Sequence, residues 1–242
     1  MTVDKRDLAL LAEKFSGKEL DSAVLRVENG EPLAYVLGEW YFYGLTFALN
    51  NECLIPRPDT EHVVERAIQM LPQNGTFIDL CTGSGCIAIS VLKNRPDLRA
   101  YALDISEKAI EAAKANAKAN GVSDRITFIS ADVFTFDKAA LPTLQAVISN
   151  PPYIRSDVVT TLEVAKSEPI KALDGGADGM DFYKAIIQNY KDLLDQSGSF
   201  IFEIGYDQKE DIEALAHRHN LECNVYKDYG GNDRVAVIKS NE

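Results

Sequence analysis

The spacing of apolar and polar residues divides the chain into a helical beginning, a β-rich segment and a long alternating region. Apolar residues recur at three- and four-residue steps from Asp4 to Val27, which predicts helical structure with a break at Ser16-Gly17. The aromatic, β-rich segment Glu39–Asn50 is typical of a hairpin. A further helix, capped by Asp59 or Thr60, is expected to run to about Met70.

After Gly75 the pattern changes to short apolar strands that alternate with helices. The predicted strands are Thr76–Leu80, Arg99–Asp104, Ile126–Ser130, Ala146–Ser149, Ser199–Glu203, Glu222–Lys227 and Arg234–Ile238. The predicted helices are Gly85–Lys93, Glu107–Asn120, Asp181–Leu194 and Gln208–His219. This alternation predicts an α/β fold with a doubly wound, mostly parallel seven-stranded sheet, and the last two strands lie close enough in sequence for an antiparallel edge.

Composition and charge narrow the classes of function. The 242 residues include 37 acidic and 25 basic side chains, a net charge of −12 at pH 7. Nucleic-acid affinity comes largely from clustered Lys and Arg, so direct binding of RNA or DNA is disfavoured. No stretch approaches the ~20 apolar residues of a membrane span. The four cysteines form no CxxC pair, so we expect reduced thiols, a cytoplasmic protein and no metal site.

A glycine-containing loop, residues 79–85, follows the first strand of the alternating region. Gly83 and Gly85 allow a tight turn and the close approach of a ligand at the start of a helix. Asp104 ends the next strand, where a carboxylate is placed to accept both hydroxyls of a ribose. Asp132 follows the third strand among apolar and aromatic neighbours that suit an adenine ring.

Two cofactors compete for this loop. Gly83-x-Gly85-x-x-Ala88 satisfies the dinucleotide fingerprint, which makes NAD a candidate. Asp79, however, would place negative charge near the pyrophosphate of a dinucleotide. S-adenosylmethionine is cationic and has no phosphate, so carboxylates at three successive strand ends suit it better.

A second motif, Asn150-Pro-Pro-Tyr153, follows the fourth strand, where open α/β sheets bind their ligands. The two prolines fix the backbone around Asn150. Hydrogen bonds from a planar NH₂ group to the Asn150 side-chain oxygen and to the Pro151 carbonyl would orient that nitrogen and favour positive charge developing on it. Tyr153 would pack against the substrate plane. The motif therefore predicts methylation of a planar amino group without a general base.

Together the two motifs resemble those of class I S-adenosylmethionine-dependent methyltransferases, which have a Rossmann-like fold. Further segments are similar to the release-factor glutamine methyltransferases, the PrmC or HemK family. These segments are Gly38–Phe47, Leu54–Glu61, Glu168–Gly179, Phe202–Gly205 and Asp228–Val235. The likeness runs from about Gly30 to the end of the sequence.

The resemblance implies transfer of a methyl group to the side-chain amide nitrogen of the glutamine in the Gly-Gly-Gln motif of peptide chain release factors. S-adenosylmethionine would be the cofactor, S-adenosylhomocysteine the product and a release factor the protein partner, with no membrane involved. One alternative is an N-methyltransferase of adenine or guanine in RNA or DNA, because Asn-Pro-Pro-Tyr also occurs there. Another is a non-catalytic module that only binds S-adenosylmethionine or acts like a chaperone.

The resemblance also assigns roles to individual residues. The implied catalytic residues are Asn150, Pro151 and Tyr153. The implied cofactor-binding residues are Asp79, Cys81, Thr82, Gly83, Ser84, Gly85, Asp104, Ile105, Asp132, Val133 and Asn150. The implied substrate-binding residues are Asn150, Pro151, Pro152, Tyr153, Phe42, Pro56 and Arg57.

This sequence departs from the family's pattern in two places. Cys81 stands where class I enzymes commonly have the first glycine of the loop, and we expect it to be a small buried filler and not a nucleophile. Family members usually carry an amino-terminal domain of several helices. Here we expect a short helical segment over residues 1–37, a β-hairpin linker over residues 38–52 and an S-adenosylmethionine-dependent methyltransferase domain over residues 53–242.

Overall fold

The first part of the chain forms three helices and a hairpin in a computed structural model that describes residues 3–240. The elements are α1 (Lys5–Lys14), α2 (Gly17–Glu28), α3 (Leu33–Leu37), β1 (Glu39–Phe42) and β2 (Leu45–Ala48). The side chain of Asp4 caps α1 by accepting hydrogen bonds from the Arg6 and Asp7 amides, both at 2.8 Å. The break at Ser16 and the hairpin are confirmed. The short helix α3 was not predicted, because its five residues are too few to show a helical period.

The rest of the chain forms a seven-stranded sheet with helices on both faces. Its strands are β3 (Thr76–Leu80), β4 (Arg99–Asp104), β5 (Ile126–Ser130), β6 (Leu144–Ser149), β7 (Leu194–Glu203), β8 (Leu221–Lys227) and β9 (Asp233–Ser240). Its helices are α4 (Glu61–Met70), α5 (Cys86–Asn94), α6 (Glu107–Ala119), α7 (Ser156–Val159), α8 (Asp181–Tyr190) and α9 (Lys209–Arg218). None of the described helices is long and apolar enough to cross a membrane.

The strand order β5-β4-β3-β6-β7-β9-β8 confirms the doubly wound, mostly parallel sheet. Strands β3 to β7 pair in parallel, and β9 is antiparallel to both β7 and β8. The antiparallel pair is confirmed, with β8 and not β9 at the edge. The order follows from burial: Val235–Ile238 is a continuous apolar run buried on both faces, whereas exposed and partly buried residues alternate along β8.

The predicted helix Asp181–Leu194 is wrong at its carboxyl end. Helix α8 stops at Tyr190, a single 3-10 turn covers Lys191–Leu193, and Leu194 already begins β7, opposite Leu144 of β6. The register then shifts before Ala146. The extra strand residues carry little apolar pattern, so the sequence alone could not separate them from the helix.

Two apolar layers hold the sheet. On one face, Phe77 and Ile148 pack with α4, α5 and the hairpin. On the other face, Ile78 and Phe200 pack with the buried rings of α8 and with α9. The hairpin enters the first layer through Phe42 and Phe47, whose ring centroids lie 6.1 Å apart. The sheet is therefore packed on both faces, and the carboxyl ends of its parallel strands carry the loops described next.

Candidate active site

A cavity of about 220 Å³ opens where strands β3 to β6 end. Every one of these strands contributes the loop that follows it, as expected for a ligand site in an open α/β sheet. The lining residues are Glu52, Leu54, Pro56, Arg57, Thr60, Cys81, Thr82, Gly83, Ser84, Cys86, Ile87, Leu103, Asp104, Ile105, Ala131, Asp132, Val133, Phe134, Asn150, Pro152, Lys171, Ala172 and Phe182.

Asp79 lies fully buried beneath the loop that follows β3. Its Oδ2 accepts hydrogen bonds from the Thr82 hydroxyl at 2.6 Å and the Ala88 amide at 3.3 Å. None of the described residues donates to its Oδ1. Burial raises the pKa of Asp79 to about 7, against the lowering effect of those two hydrogen bonds. A buried carboxylate oxygen without a partner suits a cationic ligand group, which would favour the ionised form.

The backbone of the loop is left-handed at three positions, with φ of +58° at Cys81, +55° at Gly83 and +81° at Gly85. Cys81 thus adopts the conformation that favours glycine. A side chain at Gly83 would meet nothing within 4 Å, so the chain there is open to a ligand. A Cβ at Gly85 would lie 2.8 Å from Ile89 Cδ1, so that glycine serves packing. Burial raises the pKa of the Cys81 thiol well above its usual range, which disfavours a nucleophilic role.

Asp104 lines the cavity and joins two of its loops. Its Oδ2 accepts the Gly83 amide at 2.8 Å and its Oδ1 accepts the Ser106 amide at 2.9 Å. Burial raises the pKa of Asp104, while these backbone hydrogen bonds lower it. Each carboxylate oxygen has more than one lone pair, so both retain the capacity to accept a ligand hydroxyl.

The wall beyond Asp104 is apolar and aromatic. Val133 is buried, whereas Phe134 and Ile105 are 42% and 61% exposed. The Phe134 ring meets Phe182 edge to face, with centroids 4.9 Å apart. Asp132 stabilises the turn after β5, since its Oδ1 accepts a hydrogen bond from the Phe134 amide at 2.9 Å. A flat aromatic ligand would find one carboxylate and a large apolar surface here.

The Asn-Pro-Pro-Tyr motif leaves β6 beside this wall. Asn150 lines the cavity, and its Nδ2 donates a hydrogen bond to Thr60 Oγ1 at 3.2 Å. The Tyr153 hydroxyl donates to Glu203 Oε1 at 3.3 Å, and Gln208 Nε2 donates to the Tyr153 carbonyl at 3.0 Å. No described residue donates to Asn150 Oδ1, so this acceptor is open to a ligand.

Two ion pairs connect the segments on either side of the cavity. Arg57 pairs with the buried Glu168, whose Oε2 also accepts the Ile55 amide at 3.1 Å. Lys171 pairs with Glu52. Residues 52–57 and 168–171 are thereby held together across the cavity mouth.

The structure brings most of the expected site residues into one lining. Those in the lining are Cys81, Thr82, Gly83, Ser84, Asp104, Ile105, Asp132, Val133, Asn150, Pro152, Pro56 and Arg57. Asp79 and Gly85 lie behind it, and Pro151 and Tyr153 flank Asn150 without lining the cavity. Phe42 is 2% exposed and belongs to the core beneath the hairpin, so the structure does not place it in the cavity lining.

Sequence reasoning missed several lining residues. Thr60 lies within the Leu54–Glu61 segment, and its position there was the available signal. No sequence signal pointed to Glu52 or Lys171, because their ion pair joins residues that are 119 apart in sequence. The apolar members Leu54 and Phe182 read as ordinary core residues.

The fold and this cavity define a methyltransferase. A family model described as the methyltransferase small domain matches residues 62–202. A solved methyltransferase from Pyrococcus furiosus has the same fold, with a TM-score of 0.62, 16% identity, and coverage of 88% of this chain and 95% of that one. A ribosomal protein L11 methylase from Lactobacillus delbrueckii subsp. bulgaricus does too, with a TM-score of 0.58, 19% identity, and coverage of 80% of this chain and 84% of that one.

Curated relatives identify the family. A release factor glutamine methyltransferase from Thermodesulfovibrio yellowstonii is 35% identical over 230 residues, which cover 92% of this chain and 81% of the relative. Another, from Fusobacterium nucleatum, is 39% identical over 235 residues, which cover 95% of this chain and 66% of the relative. The chain belongs to the release factor glutamine methyltransferase family.

Proposed function

We propose that this methyltransferase transfers a methyl group from S-adenosylmethionine to the side-chain amide nitrogen of the glutamine in the Gly-Gly-Gln motif of a peptide chain release factor. The relatives named for this activity match nearly the whole chain. The observation that carries the proposal is the Asn150 amide, which lines the cavity while its nitrogen is bound to Thr60. The site therefore offers acceptors to a ligand NH₂ group.

The residues present fit S-adenosylmethionine. The unpartnered Asp79 Oδ1 suits the cationic amino-acid end, and the open space at Gly83 admits a ligand beside the backbone. Asp104 suits the ribose hydroxyls, and Val133 and Phe134 suit the adenine. A dinucleotide fits less well, because the buried acid Asp79 lies beneath the loop that would receive its phosphates.

The chain's own groups account for activation of a poor nucleophile. An amide nitrogen has a delocalised lone pair, and two acceptors, Asn150 Oδ1 and the Pro151 carbonyl, would hold its two N–H groups and orient it. The same acceptors favour the positive charge that develops as the nitrogen becomes tetrahedral. S-adenosylmethionine supplies an electrophilic methyl group when bound and leaves as S-adenosylhomocysteine. The methylated nitrogen then loses its proton to water, so no general base is required.

The proposal extends to location and domain roles. We place the reaction in the cytoplasm, where peptide release occurs; the four cysteines are free thiols, which agrees with a reducing compartment. Residues 53–242 form the proposed catalytic domain, with the helical segment 1–37 and the hairpin 38–52 beside it. The partner is a release factor, and no direct contact with nucleic acid is required.

The proposal is tested with methyl-labelled S-adenosylmethionine and a purified release factor. Label is expected in the Gly-Gly-Gln peptide of the wild-type factor and not in a matched factor whose motif glutamine is replaced by alanine. Cell RNA and DNA serve as competing acceptors in the same assay. Label in nucleic acid with none in the peptide would contradict the proposal and favour the base N-methyltransferase. Cofactor binding without transfer to any acceptor would favour a binding module.

A further inference from the structure

We propose that Glu52 and Lys171 belong to the cofactor site and form a latch across its mouth, so that this ion pair must open before S-adenosylmethionine enters or S-adenosylhomocysteine leaves. The inference rests on the proposed function for the identity of the cofactor, and it names what sets the rate of cofactor exchange. Neither residue was expected in the site from the sequence.

Glu52 and Lys171 reach the cavity from two distant segments of the chain. Glu52 follows the hairpin, and Lys171 lies in a 3-10 turn, Ile170–Ala172, between α7 and α8. Both residues line the cavity, and Lys171 Nζ donates a hydrogen bond to Glu52 Oε2. Their side chains are 49% exposed for Lys171 and 27% exposed for Glu52, so the ion pair lies where the cavity meets solvent.

Ser106 connects this ion pair to the carboxylate that suits the cofactor's ribose. The Ser106 amide donates to Asp104 Oδ1 at 2.9 Å, and the Ser106 hydroxyl donates to Glu52 Oε2 at 3.1 Å. One buried residue therefore holds both carboxylates. A ribose bound by Asp104 would lie next to the Glu52–Lys171 pair, which places the latch at the ribose end of the site.

The two ion pairs that join these segments differ in burial. The Glu168 side chain is only 3% exposed, and it binds both Arg57 and the Ile55 amide. Breaking a buried pair leaves a charge without compensation, so we expect this connection to stay closed. An exposed pair contributes little stability, so the segments should separate first at Glu52 and Lys171. The buried pair thus serves as a hinge for the latch.

The latch forms without help from a ligand. Hydrogen bonds from Lys171 and from Ser106 lower the pKa of Glu52, so its carboxylate is ionised at neutral pH. The pair joins two protein side chains, and it can close whether or not a cofactor is bound. Removing it should therefore raise both the association and the dissociation rate constants and change the Kd by less, as expected when a closure controls access to a site.

The test measures the binding kinetics of S-adenosylhomocysteine by surface plasmon resonance. This ligand has no net charge, so added salt acts on the latch more than on attraction of the ligand. Glu52→Gln and Lys171→Met should each raise both rate constants about 1.5- to 5-fold, the range that corresponds to an exposed ion pair. Lys166→Met is the matched control, because it removes the same charge and breaks an exposed pair with Glu163. It should exchange the ligand like wild type.

Salt provides a second measurement on the same proteins. Raising the ionic strength from about 0.05 to about 0.5 M weakens exposed ion pairs. Both rate constants of the wild-type protein should therefore increase, whereas those of Glu52→Gln should change little.

Charge reversal separates the latch from a structural role of the two side chains. Glu52→Lys alone places two cations together and should speed exchange, whereas Glu52→Lys combined with Lys171→Glu restores opposite charges and should slow it toward the wild-type rate. The inference is overturned if both neutral variants match Lys166→Met, if only the dissociation rate constant rises, or if the double variant exchanges as fast as Glu52→Lys. If wild-type protein binds no S-adenosylhomocysteine, the proposed function fails and the latch fails with it.

Discussion

The backbone amide of Gly83 lies 2.8 Å from Asp104 Oδ2, and this hydrogen bond joins the glycine loop to the end of the neighbouring strand. The carboxylate also accepts the Ser106 amide, so it is held by two fixed donors before any ligand arrives. A preorganised acceptor loses little conformational entropy when a ribose binds. We therefore expect cofactor affinity to depend strongly on Asp104.

Replacing Asp104 with alanine should weaken binding of S-adenosylmethionine. Hydrogen bonds to a charged group contribute about 1.5 to 3 kcal/mol each, so we expect the Kd to rise by roughly 10- to 100-fold or more. Isothermal titration calorimetry measures this, with Asp124→Ala as the control, because Asp124 is an exposed aspartate outside the cavity lining. Unchanged affinity in folded Asp104→Ala would contradict the assignment.

Replacing Asn150 with alanine should remove turnover while the enzyme still binds its cofactor. The variant loses the acceptor that we propose orients the substrate nitrogen, and we expect kcat to fall by about 100-fold or more. Binding of S-adenosylmethionine should weaken only a few-fold, since Asp79 and Asp104 remain. Single-turnover transfer of labelled methyl separates the two effects. Retained transfer would show that another group orients the acceptor.

Replacing Asp79 with asparagine should stabilise the protein and weaken the cofactor complex. Burial raises the folded-state pKa of Asp79 to about 7, above the ~3.9 of an unfolded aspartate. The cost of ionising it is therefore absent below about pH 4 and complete above about pH 7. The free energy of unfolding should rise by on the order of 2 to 4 kcal/mol at about pH 8 and by less at about pH 5.

Denaturant unfolding at the two pH values checks this prediction. Asp97→Asn is the control of opposite sign, because a hydrogen bond from Arg95 lowers the pKa of Asp97 and the change should not stabilise the protein. Binding of S-adenosylmethionine to Asp79→Asn should weaken, since the negative charge beneath the loop is lost. Equal free energies of unfolding for Asp79→Asn and wild type at the higher pH would show that ionising the buried Asp79 costs the folded protein no stability.

Replacing Glu168 with alanine should destabilise the cavity mouth. The change leaves the Ile55 amide without its acceptor and Arg57 without its partner. We expect a loss of about 1 to 3 kcal/mol in the free energy of unfolding, because one partner of this pair is partly exposed. Lys166→Ala, which breaks the exposed ion pair with Glu163 three residues earlier, should cost under about 0.5 kcal/mol. Equal effects would contradict a structural role for the buried pair.

Replacing Cys81 with glycine should preserve activity. The backbone at Cys81 is in the left-handed region, where a non-glycine residue costs about 1 kcal/mol. Glycine should therefore raise the melting temperature slightly. Cys81→Val should be strongly destabilised, because β-branched residues resist this conformation. The raised pKa of the native thiol also predicts slow alkylation by iodoacetamide at neutral pH, which mass spectrometry detects. Loss of turnover in stable Cys81→Gly would point to a chemical role for the thiol.

The sequence predicted what depends on local pattern. The alternation of apolar strands and helices predicted a sheet covered by helices on both faces. The loops at Gly83 and Asn150 were correctly placed at strand ends, because glycine permits tight turns and proline fixes the backbone. What it could not give depends on contacts between distant residues. Thr60 reaches Asn150 only after folding, and Phe42 faces the core and not the cavity because of how the hairpin packs on the sheet.

The order of strands in the sheet differs from the order in which they are synthesised. β9 is made after β8 but inserts between β7 and β8, where it pairs Val235 with Glu203. Its Arg234 also reaches Asp59, beside Thr60, at 3.6 Å. Until β9 has been made, β8 has no neighbour in the sheet. A chain interrupted before Asp233 would therefore leave β8 detached from the sheet and the far edge of β7 unpaired.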